Sequence, residues 1–75
     1  MKIFGLQGGD RARVVGFSEG DRAYRQKLIQ MGLRKGVMIT LLRKAPLGDP
    51  VEVDCEGILL TLRKGESDIV EVEAL

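Results

Sequence analysis

The chain has 75 residues, 31% of them charged and 44% hydrophobic, with a formal net charge of +1, one cysteine and no histidine. Cys55 alone excludes an internal disulfide, and the absence of histidine removes the usual neutral-pH base and the commonest metal ligand. One core of this size contributes roughly 3 to 5 kcal/mol net, and apolar runs such as Ile58-Leu59-Leu60 fall far short of the roughly 20 residues that cross a bilayer. The N-terminus lacks a charged-then-apolar leader pattern, so the expectation is one soluble, cytoplasmic domain over residues 1–75.

In chain order, Gly8-Gly9 supplies a flexible start to a strand over Asp10 to Phe17, with Ala12 and Val14 facing inward. The period breaks after Gly16, because Val15 and Phe17 lie on the opposite parity, and a glycine at such a break marks a bulge or sharp bend. From Asp21, the expected N-cap, the period becomes helical: Tyr24, Leu28 and Met31 form one stripe facing the sheet. Gly32 suits the left-handed position just past the helix end, and Leu33 beyond it can fold back onto Leu28.

A second strand follows Gly36 over Val37 to Leu42, with Val37, Ile39 and Leu41 inward. Pro46 and Pro50, with Gly48-Asp49 between them, make Ala45 to Pro50 a loop between strands. Strand three alternates Val51, Val53 and Cys55 with Glu52, Asp54 and Glu56. Gly57 turns it back into Ile58 to Leu62, Lys64 to Asp68 makes a turn, and Ile69 to Glu73 closes the chain with Val70 and Val72 inward. The fold class is therefore mainly β: a five-stranded, partly open barrel, which hides strand edges, with one helix inserted between strands 1 and 2.

Charge is uneven along the chain. Residues 1–48 carry ten Lys/Arg against three Asp/Glu, and residues 49–75 carry two against eight. Interleaved strands neutralise such halves against each other, and this is weighed ahead of a two-signed surface that orients a partner.

No catalytic constellation emerges. Ser18, Ser67 and Cys55 have only scattered carboxylates and lysines as potential bases. Gly8-Gly9-Asp10 lacks the preceding strand, the Gly-Lys-Ser/Thr end and the helix of a phosphate-binding loop. Cys55 falls on the inner face, where it acts as a small apolar residue. Glu52, Asp54 and Glu56 stand roughly 6 to 7 Å apart along one strand face, awkward for one shared cation and natural for a solvated acidic face.

Two surface features stand out. Arg22, Arg25, Gln26 and Ile29 project opposite the Tyr24 stripe, leaving Ile29 either framed by cations for a partner or packed beneath the N-terminal segment around Phe4 and Leu6. Leu47, between Pro46 and Gly48, poses the same question on a restrained loop, where docking costs less entropy.

Taken together, Tyr24-Arg25-Gln26-Lys27-Leu28, Met31-Gly32-Leu33, Gly36 and the Ala45 to Pro50 loop resemble the FeoA family, small cytosolic accessory proteins of bacterial ferrous iron uptake. The resemblance continues into Leu60-Thr61-Leu62-Arg63-Lys64 and Val70-Glu71-Val72-Glu73, covering most of the chain from Gly16 onward, while Met1 to Asp10 adds only a generic start. It implies an SH3-like barrel and a protein-binding accessory module; the residues themselves give the expectation of no enzymatic role, no cofactor and no metal ligand, although transition metal ion binding belongs to the family at large.

It also implies a partner: the FeoB-type membrane permease with a cytosolic G domain, in which the transport chemistry resides. Under that reading the helix Asp21 to Met31 and the loop form the docking surface, with Arg25, Ile29 and Leu47 leading, joined by Pro46 and Asp49. Leu28, Gly32, Leu33, Gly36 and Pro50 are structural. Arg25 or Arg34 is conceivable as an arginine finger in GTP hydrolysis, but nothing in the sequence selects either. Two rivals are kept: a regulatory domain of the kind fused to metal-dependent repressors, and a small nucleic-acid-binding barrel. The second is weakened by having three aromatics, Phe4, Phe17 and Tyr24.

Overall fold

The computed structural model describes residues 1–18 and 22–75. Five antiparallel strands, β1 (Arg11–Phe17), β2 (Met38–Lys44), β3 (Val51–Cys55), β4 (Ile58–Leu62) and β5 (Val70–Ala74), form one sheet in the order β4-β3-β2-β1-β5. Helix α1 (Arg22–Gln30) lies between β1 and β2, and a single helical turn, α2 (Lys64–Ser67), lies between β4 and β5. All five strands send side chains into one core that includes Ala12, Val14, Ile39, Leu41, Val51, Val53, Leu62, Val70 and Val72. One continuous core shared by every strand requires a curled sheet, and β4 and β5, its two ends, do not pair with each other.

Alternation accounts for the strands. In β3, Val51, Val53 and Cys55 are buried while Glu52 and Asp54 are half-exposed, the pattern of a sheet wet on one face. The β3–β4 connection is a two-residue turn, Glu56-Gly57, with φ of 51° and 93°. Positive φ at both positions matches the twist of the flanking strands, and Asp54 Oδ1 accepts the Gly57 N–H at 2.8 Å. Both longer strands carry a bulge. Val14 pairs with Val72 and Gly16 with Glu71, leaving Val15 extra, while Leu41 pairs with Val53 and Arg43 with Glu52, leaving Leu42 extra and exposed.

The end of α1 is a complete Schellman cap. Gly32, at φ 104°, donates its N–H to Ile29 O, and Leu33 donates to Leu28 O, both at 3.0 Å. Leu28 and Leu33 are fully buried in the core, and Met31 packs against it. Gly36, at φ 98°, donates to Val14 O at 2.7 Å, tying the turn after the helix to β1. The expected N-cap, Asp21, lies outside the described residues.

Four expectations are corrected. Tyr24 does not enter the core: it is 42% exposed, and its ring lies over Gly65, where an added Cβ would stand 3.1 Å from Tyr24 Cε2. The first turn of α1 thus faces α2 rather than the sheet. Lys64 to Asp68 is no simple turn, because Glu66 Oε1 accepts the Arg63 N–H at 3.0 Å and holds a helical turn in place. Gly8-Gly9 is not a flexible lead but an ordered turn, in which Asp10 donates to Gln7 O and Gly9 to Leu41 O.

The N-terminal segment is likewise more than a generic start. Ile3 and Leu6 are fully buried core residues around a short 3-10 turn, and Met1 and Val72 exchange two hydrogen bonds that cover the outer edge of β5. Ile29 lies half-buried beside Val15 and Phe17 instead.

The basic first part of the chain meets the acidic second part by ion pairing. Lys2 with Glu71 (3.2 Å), Lys27 with Glu66 (2.7 Å) and Arg43 with Glu52 (3.0 Å) each join a cation before residue 48 to a carboxylate after it. Of these acids Glu66 is the buried one, at 5% exposure. The Lys27 ammonium, and then the Arg63 N–H, hold its carboxyl below the usual range against the opposing effect of burial.

Candidate docking surface

The loop after β2 is braced at every step. Gly48 donates to Ala45 O at 2.7 Å across Pro46 and Leu47, and Ala45 donates to Pro50 O at 3.0 Å. Asp49 Oδ1 accepts the Lys64 N–H at 2.9 Å, fastening the loop to α2. Phe4 lies beneath it, with Lys44 Nζ 4.7 Å from the ring centre and donating to Phe4 O at 2.7 Å. This bracing leaves Leu47 95% exposed at the tip, a large apolar side chain held out into water by an ordered backbone.

Gly48 is required there for two reasons. Its φ is 83°, and an added Cβ would stand 2.7 Å from Phe4 Cε2. Gly48→Ala is expected to cost about 1 to 3 kcal/mol of stability and to displace the Phe4 ring, read as a lower urea midpoint with shifted Phe4 ring resonances.

Arg25 and Ile29 belong to a different place. With Val15, Gly16, Phe17, Arg34 and Lys35 they line a shallow depression between α1 and β1, where the Arg25 guanidinium lies 5.7 Å from the Phe17 ring centre. A second depression, of about 420 Å³, is walled by Met31, Gly32, Val37, Cys55, Glu56 and Ile58, and it shares Arg34 and Lys35 with the first. Val15, on the outer face of β1 by strand alternation, lines the first hollow beside Phe17. The structure therefore separates the expected contact residues: Pro46, Leu47 and Asp49 sit on the loop, Arg25 and Ile29 line the depression, and no loop residue is among its walls. Lys35 and Phe4 were not anticipated, because their importance depends on which strands and turns lie beside them.

The reactive groups are occupied structurally. Cys55 is 4% exposed, and its thiol donates to Gly32 O at 3.6 Å. Burial first, then Glu56 and Asp54, push that thiol above its usual pKa, away from the thiolate that nucleophilic or metal chemistry needs. Ser67 Oγ donates to Lys64 O at 3.3 Å. Glu52 is held by Arg43 and Asp54 by the β3–β4 turn. Among the described residues, no three of His, Cys, Asp or Glu gather at metal-ligand distances, and no helix is long and apolar enough to cross a membrane.

Comparison with known proteins agrees with this architecture. A FeoA protein from Chlorobium tepidum, solved by NMR, is 44% identical, with a TM-score of 0.89 over 100% of this chain and 70% of that one. A Stenotrophomonas maltophilia FeoA, crystallised with zinc and described as an SH3 domain protein possibly acting as a ferrous iron transport activating factor, is 25% identical, with a TM-score of 0.83 over 97% of this chain and 89% of that one. A protein of Porphyromonas gingivalis that fuses Fe(2+) transport protein A to the Fe(2+) transporter FeoB is 33% identical over 75 residues, and this chain spans 9% of its length.

The same fold recurs at 16% identity and a TM-score of 0.91 in a manganese-dependent transcriptional repressor, over 100% of this chain and 36% of that one, a likeness of fold alone. The FeoA domain profile matches residues 1–74. With its SH3-like, mainly β sheet and its single inserted helix, the chain belongs to the FeoA family, whose members are linked to ferrous iron transport.

Proposed function

We propose that residues 1–75 act as a single, non-enzymatic, cytoplasmic accessory module of ferrous iron uptake that docks on a FeoB-type permease and modulates its assembly or its GTPase-linked transport. The observation that carries this reading is Leu47, 95% exposed on a loop whose backbone is fixed by hydrogen bonds on both sides of the tip. An apolar anchor already held in one conformation loses little entropy on binding. The fusion of a relative of this chain to FeoB supports the choice of partner, since fused domains work at high effective concentration. Arg25, Ile29, Pro46 and Asp49 are the further contact candidates.

A nucleic-acid partner is not favoured. Phe4 lies by Gly48, Phe17 by Arg25 and Tyr24 by Gly65, three separate positions that form no stacking platform. Co-purification with the full-length FeoB-type transporter of the same genome, with and without a GTP analogue, tests the docking reading. Wild type is expected to be retained and Leu47→Asp to lose roughly thirtyfold in affinity with an unchanged melting temperature. Equal retention of the two proteins rules out the loop as anchor, and nucleotide-dependent retention assigns the contact to the G domain.

A further inference from the structure

Within the docking reading, on which this inference rests, we propose that the paired depressions beside α1 receive an acidic segment of the partner that carries an apolar side chain on either side of its carboxylates. Arg34 and Lys35 form the ridge between the two hollows, and both are exposed. Lys2, Lys27, Arg43 and Lys64 each meet a carboxylate within 3.5 Å, and the other cations make no ion pair among the described residues. Arg34 and Lys35 have no ion-pair partner among the described residues, and Arg25 beside them is placed by the Phe17 ring. The ridge is thus two adjacent, exposed and unpaired cations shared by both hollows.

The ridge is also held in place. Arg34 donates to Gly32 O at 3.0 Å, Val37 donates to Arg34 O at 3.1 Å, and Gly36 donates to Val14 O at 2.7 Å, so the two cations stand on a hydrogen-bonded turn clamped between the helix cap and β1. Cations on such a turn are pre-organised for carboxylates, and the hollows flanking them offer aliphatic walls, Val15 and Ile29 on one side and Val37 and Ile58 on the other. That order of chemistry, apolar, cationic, apolar, matches a short peptide with carboxylates between two apolar anchors. An anionic bilayer is a poorer match, because it offers no side chains to the hollows.

Binding of this protein to the detergent-solubilised full-length transporter, measured at about 50 and about 300 mM salt, tests the inference, with R34E/K35E and R34K/K35R as variants. Wild type is expected to weaken roughly tenfold or more between the two salts. R34E/K35E should weaken by a similar factor at the lower salt and lose its salt response, and R34K/K35R should stay near wild type. Unaltered binding by R34E/K35E, or a wild-type affinity indifferent to salt whatever the variant does, overturns the acidic segment while leaving the docking reading in place. No binding of wild type under any condition removes the docking reading and this partner with it. Pelleting of wild type, but not R34E/K35E, with phosphatidylcholine–phosphatidylglycerol vesicles, while transporter binding is unaffected, assigns the ridge to lipid and overturns the proposal.

Discussion

Leu28→Ala is expected to destabilise the protein by about 2 to 5 kcal/mol, a large part of what a domain of this size possesses. Leu28 is fully buried, belongs to the same core as Val14, Leu41 and Leu62, and lends its carbonyl to the Leu33 N–H that ends the helix. Truncation leaves a cavity where helix and sheet meet and removes the apolar contact that accompanies the cap. Urea unfolding followed by circular dichroism should show a much lower midpoint with little change in slope. A midpoint within about 0.5 kcal/mol of wild type would mean that α1 is not anchored through this side chain.

Glu66→Gln is the second large effect, expected at about 1 to 3 kcal/mol at neutral pH. The carboxylate is nearly buried, caps α2 through the Arg63 N–H and meets Lys27 at 2.7 Å, so the amide keeps the shape but weakens both interactions. Lys27 is itself 61% exposed, which places the ion-pair share at the lower end. The folded protein holds the Glu66 carboxyl below the usual range, so it binds that proton less readily than the unfolded chain does. This contribution is complete above the unfolded carboxyl value and disappears as pH falls through the lowered folded value. The gap between wild type and Glu66→Gln in urea midpoint should therefore close on acidification from about pH 5 to about pH 3. A gap that stays constant over that window would show that ionisation of Glu66 contributes nothing.

The elements readable from the sequence are those whose cause is local. The alternation of Val51, Val53 and Cys55 with Glu52 and Asp54 carries strand, face and burial together, and Gly32 followed by Leu33 carries the helix end down to its hydrogen bonds. The break at Gly16 likewise becomes a register shift against β5. What escaped depends on distant partners. Lys64–Ser67 has no apolar period, and its helical turn exists because Glu66 finds Arg63 locally and Lys27 from α1. Ile3 and Leu6 look like a stray start until Met1 pairs with Val72, near the other end of the chain. Tyr24 obeys the helical stripe, yet the element opposite it is α2, and Gly65 leaves the ring its room.

The candidate surface divides along the same line. Leu47 is identifiable from sequence because Pro46, Gly48 and Asp49 are turn residues around an apolar one, and Arg25 and Ile29 share a helix face. That Arg34 and Lys35 rather than the loop complete the hollow beside Ile29 follows from the clamped turn that ties them to β1, which no spacing along the chain encodes.

The strand order also bears on how the protein is made. β1 lies between β2 and β5, so this sheet's first strand in sequence waits for its last before its second edge is satisfied. Until residues 70–74 emerge, Ala12 and Val14 lack their β5 partners Ala74 and Val72, and the Met1–Val72 hydrogen bonds cannot form. Folding of this domain is thus deferred until its last strand has emerged, as expected where the essential contacts link its first and last elements. In a polypeptide such as the Porphyromonas gingivalis fusion, a domain of this topology would complete itself only after its own last strand had cleared the exit tunnel.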